Sequence, residues 1–147
     1  MSGDQHVTGS HWPLAFQATP WEHVFLKHVA GAKASLRILC PFIKLRSMRL
    51  LLSAIRLPTA GIFNLQVVTR LNKRDCGAFV HDIAALRLLL EAPLGPQCNV
   101  ELRIDNAIHA KVFICDGREL IVTSSNLTKA AFYTNKEVAL EPIPEPV

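Results

Sequence analysis

Apolar and polar positions alternate with two different periods along this chain, and the switches between them outline its elements. Residues 35–40 (SLRILC), 63–69 (FNLQVVT), 99–104 (NVELRI) and 108–115 (IHAKVFIC) are short runs rich in β-branched residues that predict strands. Asp116-Gly117 is a hairpin signal, and residues 118–122 (RELIV) predict the returning strand. Helical spacing takes over elsewhere. Thr19-Pro20-Trp21-Glu22 predicts a helix start, with Thr19 as cap and Pro20 at the first position. Trp21, Val24, Phe25, His28 and Val29 then share one face. Residues 45–57 predict an amphipathic helix and residues 78–90 a leucine-rich one.

Strands that alternate with helices predict the α/β class. The expected architecture is a mixed, largely parallel sheet sandwiched between helices, in a single domain over residues 19–140. Residues 1–18 are expected as a flexible polar arm, and residues 141–147 (EPIPEPV) as a proline-rich extended tail. There is no internal repeat.

Composition narrows the function classes. A 147-residue chain, half of it hydrophobic, carries enough apolar content for one sizeable core. The net charge of +4 mildly favours a polyanionic partner, and basic residues gather in residues 44–56 and at Arg70, Lys73 and Arg74. Cys40, Cys76, Cys98 and Cys115 are scattered without CxxC spacing, so they read as reduced thiols of a cytoplasmic protein rather than a zinc site or disulfide framework. No signal peptide and no membrane span is expected.

The chemistry concentrates in residues 108–137. His109 and Lys111 sit one residue apart in an expected strand, so both project to one side. Residues 127–132 predict a helix start, with Ser124 and Asn126 as cap residues whose end of the helix would receive an anion. An imidazole, an ammonium, a hydroxyl and an amide would then surround one phosphate. Each has a plainer reading: a lone His109 is an ordinary packed or surface histidine, and Ser124 and Asn126 are ordinary caps. Arg70 and Asn72 end a predicted strand and are candidate substrate contacts or a solvated loop. His6, His11, His23, His28 and His81 show no partner pattern.

Taken together, His109-x-Lys111-(x)4-Asp116-(x)6-Thr123-Ser124-x-Asn126 resembles the signature of the phospholipase D superfamily, with Thr123 where glycine is usual. Leu127-Thr128-Lys129-Ala130-Ala131 and Asn135-Lys136-Glu137 resemble its small bacterial nucleases. The resemblance implies that His109 attacks phosphorus to give a phosphohistidine. It also implies that Lys111, Ser124 and Asn126 hold phosphate oxygens, and that Glu137 orients the imidazole. Asp116, at a hairpin, is expected to support local structure. The family's chemistry uses two His-x-Lys sets, and this chain has one. The resemblance therefore implies a homodimer with one set per chain, acting without metal or cofactor on nucleic acid, DNA being favoured over RNA. Two rival classes remain, a phospholipase-type enzyme and a catalytically silent nucleic-acid-binding or dimerisation module.

Overall fold

Strand and helix boundaries follow the burial pattern of a computed structural model, which describes residues 14–92 and 94–142. Its strands are β1 (Leu14–Ala18), β2 (Ser35–Leu39), β3 (Phe63–Thr69), β4 (Cys98–Ile104), β5 (Val112–Cys115), β6 (Glu119–Thr123) and β7 (Val138–Pro142). Its helices are α1 (Glu22–Gly31), α2 (Leu45–Ala54), α3 (Lys73–Gly77), α4 (Ile83–Glu91) and α5 (Lys129–Tyr133). All seven strands form one mixed sheet in the order β1-β7-β6-β5-β2-β3-β4.

The α/β class and single mixed sheet agree with the sequence reading; the balance of directions differs. Parallel pairing is confined to β2–β3 and β3–β4. The pairings of β2 with β5, β5 with β6, β6 with β7 and β7 with β1 are antiparallel. Only the segment rich in βαβ crossovers could be parallel, because the hairpin at Asp116-Gly117 reverses the chain. Both hairpin residues have positive φ, 53° and 67°, as the tight turn between β5 and β6 requires.

The helices were expected on both sheet faces, and here too the structure differs. Leu36, Ile38, Phe63, Leu65, Val67, Phe113, Cys115 and Ile121 point to one face and are buried in a single core with residues of α1, α2 and α4. These helices lie side by side, α2 between the other two. The register puts Arg37, Asn64, Asn99, Leu120, Val122 and Val138 on the opposite face, where all six are exposed. The polar positions of β2, β3 and β4 account for it: that face cannot be a dry core.

Three local expectations shift. Residues 14–18, placed in the polar arm, form edge strand β1 paired with β7, and β7 extends through Glu141 and Pro142 of the expected tail. Residues 1–13 and 143–147 lie outside the described residues. The helix expected over 78–90 begins only at Ile83, because residues 79–82 are claimed by the loop after β2. Asp82 N–H donates to the Ile43 carbonyl, Ile43 N–H donates to His81 Nδ1, and the Asp82 carboxylate accepts from Leu45 N–H. The expected cap at Thr19 is replaced by a start at Glu22. Among the described residues no helix is long and apolar enough to cross a membrane.

Candidate active site

Strand directions decide where the chemistry gathers. The carboxyl ends of β2, β3, β4 and β6 and the amino ends of β5 and β7 lie along one edge of the sheet. Arg70, Asn72, His109, Lys111, Ser124, Asn126 and Glu137 all follow or precede those ends. Ligands of open α/β sheets bind at such an edge.

His109 and Lys111 stand just before β5, which starts at Val112 rather than at residue 108. The ladder with β6 continues one step further through Thr123 N–H to the Lys111 carbonyl, 3.0 Å. The His109 side chain is exposed and makes no hydrogen bond among the described residues. Lys111 is half-buried, and its Nζ donates to the His109 carbonyl at 3.2 Å. Beneath them lies Cys40, wholly buried. Burial pushes its thiol up to about 11, against the opposing pull of backbone bonds at Leu127 and Phe42 and of the Lys111 charge. A thiol held that high is an inert packing group.

The loop after β6 is built differently from expectation. The helix starts at Lys129 and spans one turn, and its cap is Thr128, which accepts from Ala131 N–H. Ser124 and Asn126 are therefore free of capping. Ser124 Oγ accepts from Val138 N–H at 3.1 Å and donates to the Glu137 carboxylate. Asn135 Nδ2 donates to the same carboxylate at 3.2 Å. No hydrogen bond joins Glu137 to His109 within this chain; the Glu137 carboxylate is engaged by Ser124 and Asn135. The Asn126 carboxamide oxygen is shielded from solvent without a partner among the described residues, an uncommon state for a buried acceptor.

Residues to which the sequence reading gave no role at the site hold this loop. Ser125 is fully buried and accepts from the indole N–H of Trp21 at 3.0 Å. Thr19 Oγ1 accepts from Glu137 N–H at 3.1 Å. Trp21, Phe25, Phe113 and Phe132 pack as an aromatic group with centroids 4.8–6.4 Å apart, joining α1, β5 and α5 under the site. Trp21 was legible as core, but not its N–H as a strut, because its partner is 104 residues away.

Arg70, Asn72 and Asp116 have structural partners. Arg70 Nε lies 3.1 Å from the Asp75 carboxylate, and its guanidinium sits 5.4 Å from the centre of the Phe42 ring. Asn72 caps α3 by accepting from Asp75 N–H at 2.9 Å and donates to its carboxylate at 2.6 Å. Asp116 lies at the far end of β5, away from the site edge, and accepts from the backbone N–H groups of Lys33, Ala34 and Ser35 at 2.7–2.8 Å. Burial would raise its carboxyl, but those three donors outweigh burial and hold it below the ordinary range. Of the remaining histidines, His81 is buried, His23 is exposed and His28 Nδ1 lies 2.7 Å from Glu119. His6 and His11 lie outside the described residues. Among the described residues no three His, Cys, Asp or Glu side chains group as metal ligands would.

Comparison with known proteins matches this fold. Among solved structures, Nuc of Salmonella typhimurium, a phospholipase D family member, superposes with a TM-score of 0.60 at 20% identity, over 88% of this chain and 83% of that one. NucT from Helicobacter pylori gives 0.54 at 20% identity, over 88% and 84%. Polyphosphate kinase from Porphyromonas gingivalis gives 0.52 at 10% identity over 88% of this chain, which spans only 20% of that enzyme. At these identities the likeness is one of fold. No curated protein matches the chain. The family described as "Cardiolipin synthase, PLD-like domain" matches residues 25–142, most of the chain and all of the motif, and the chain therefore belongs to the phospholipase D superfamily.

Proposed function

We propose that this phospholipase D superfamily member, and so a phosphodiesterase, is a nuclease that cleaves nucleic acid through a phosphohistidine, DNA being favoured over RNA. One His-x-Lys set would come from each chain of a homodimer. The observation that carries the reading is His109: an exposed imidazole without a hydrogen-bond partner among the described residues, two residues from Lys111, at the sheet edge that also bears Ser124 and Glu137. A nucleophile must be neutral and uncommitted to attack.

His109 would attack phosphorus as the bond to the leaving oxygen breaks, and the partner's His109 would protonate that oxygen. The partner's His109 would then take a proton from water, whose oxygen attacks phosphorus and releases His109. Lys111 from each chain supplies fixed positive charge to the non-bridging oxygens, the dominant stabilising effect in such transfers. Ser124, held in place by Glu137, and Asn126 would add hydrogen bonds to the same oxygens. The chain has one His-x-Lys set, so two copies related by a two-fold axis make the simplest complete site. The four free cysteines fit a reducing compartment, the cytoplasm.

The test is hydrolysis of DNA, RNA and phosphatidylcholine in parallel, with EDTA present, by wild type and His109→Ala. Cleavage of a nucleic acid that survives EDTA and vanishes in the variant is expected. Activity confined to the lipid would replace the nuclease reading with a phospholipase. No activity on any substrate would leave the silent module. A strictly monomeric, fully active protein in sedimentation would overturn the two-chain site.

A further inference from the structure

The outward face of α2 presents a row of arginines that the candidate site does not use. Arg46 and Arg49 are exposed, and neither has an ion pair or hydrogen bond among the described residues. Arg56, just past the helix, is exposed too and donates to the Ser53 carbonyl at 3.1 Å. Arg46, Arg49 and Ser53 fall at spacings of three and four, so they follow one side of the helix, and Arg56 stands beyond its end. Ser47, Met48 and Leu51 take the inward side and are buried. No acidic residue occurs between Lys44 and Arg56. Arg46, Arg49 and Ser53 line a shallow groove with Leu45 and Leu50.

The row begins at the site. Ile43 bridges to Leu127, Lys44 N–H donates to the Leu127 carbonyl at 3.0 Å, and Leu127 N–H donates to the Phe42 carbonyl at 3.2 Å. The loop entering α2 is thus bonded to the residue after Asn126. From there the ten residues of α2 run roughly 15 Å away from the edge.

We propose that Arg46, Arg49 and Arg56 form a track that grips the sugar-phosphate backbone of a nucleic acid as it leaves the site; this rests on the nuclease reading and names a surface of the chain for that substrate. Arg46 and Arg49 are close enough to share one phosphate, while Arg56 stands past the far end of α2, so the row matches a ligand whose charges recur along its length. Guanidinium groups also suit phosphate better than ammonium groups do. An anionic membrane is the poorer fit. A helix that lies in a lipid surface turns its apolar stripe outward, whereas α2 buries Met48 and Leu51 inside the core.

The test uses a His109→Ala background, so that substrate is bound and not consumed, with Arg46→Glu and Arg49→Glu added together. Binding of a labelled 20-mer oligonucleotide is followed by anisotropy across a salt series. Charge reversal is expected to weaken binding about tenfold or more and to flatten the log–log salt dependence by about two, one for each lost phosphate contact. In the otherwise native protein, the same pair of substitutions should leave hydrolysis of bis(p-nitrophenyl) phosphate unchanged, which also shows that the fold is intact. Unchanged oligonucleotide affinity and slope would overturn the track, as would loss of binding only to phosphatidylserine vesicles. Absence of oligonucleotide binding by the parent would overturn it as well. A failed nuclease reading shows separately, as no EDTA-resistant cleavage by wild type.

Discussion

One edge of the sheet carries two groups of polar residues, and they are held in opposite ways. On the parallel half, beyond β3, Arg70 and Asn72 are tied to Asp75, and Arg70 also rests on the Phe42 ring. On the antiparallel half, before β5 and after β6, the His109 imidazole has no hydrogen-bond partner among the described residues and the Lys111 ammonium donates to a neighbouring carbonyl. The first arrangement lowers the energy of the fold. The second leaves an imidazole and an ammonium available to something else, as the proposed reaction would require. The contrast separates residues that share a location but not a role.

The sharpest way to break that contrast is His109→Ala. If the antiparallel half is the reacting half, turnover of a nucleic-acid substrate should fall by on the order of 10³-fold or more. Thermal stability should stay near that of wild type, because the side chain is exposed and unbonded. Lys111→Ala should lose nearly as much activity by removing preorganised charge. Near wild-type rates in either variant would move the site elsewhere.

Asp116→Ala should do the reverse. Three backbone N–H groups, two in the α1–β2 connection and one at the start of β2, would lose their acceptor, and alanine tolerates the φ of 53° less well than aspartate. The expected cost is about 2 kcal/mol of unfolding free energy in urea titration, with kcat changed by no more than a few-fold. Asp116 belongs to the sequence motif, yet it serves the scaffold. A large loss of kcat at unchanged stability would show that it reaches the chemistry.

Asn72→Ala tests the other half more gently. Loss of the α3 cap should cost about 1 kcal/mol, again with activity within a few-fold of wild type. Arg70 and Asn72 were read from the sequence as candidate substrate contacts because of where they stand after a strand. A tenfold fall in kcat/KM with intact stability would restore that role and erase the difference between the halves.

How much was legible follows from how local each signal is. The strand Phe63–Thr69 and the hairpin at Asp116-Gly117 depend on neighbours in sequence and were readable residue by residue. The split of residues 78–90 was not, because His81 and Asp82 are recruited by Ile43 and Leu45 nearly forty positions away. The role of Leu14–Ala18 was hidden for the same reason, since its partner strand is the last one described. The open face of the sheet had left a trace in Arg37, Asn64, Gln66, Asn99, Glu101 and Arg103. The alternation of strands with helices outweighed it and suggested helices on both sides. For the candidate site the sequence supplied candidate residues and their order, while the linkage of Glu137 to Ser124 needed the register of β6 with β7.

The smallest expected effect is a pH dependence of stability carried by two carboxylates of the scaffold. Asp116 and Asp82 are both held below the ordinary aspartate range, although burial opposes it in each. Backbone donors do this at Asp116; at Asp82 it is Leu45 N–H together with the Lys44 ammonium, 3.0 Å away. A carboxyl whose folded value lies below its unfolded value contributes stability above the unfolded value of about 3.9, and that contribution is lost as pH falls through the folded one. Unfolding free energy should therefore be flat in this contribution from neutral pH down to about pH 5 and decline below about pH 4. In Asp116→Asn the acid-side slope should be shallower than in wild type, because one of the two titrating groups is gone. Since neither carboxylate lies among the residues proposed to react, Asp116→Asn should leave the pH dependence of catalysis as it is in wild type. A slope that stays the same in the variant would show that Asp116 does not stabilise the fold through its charge.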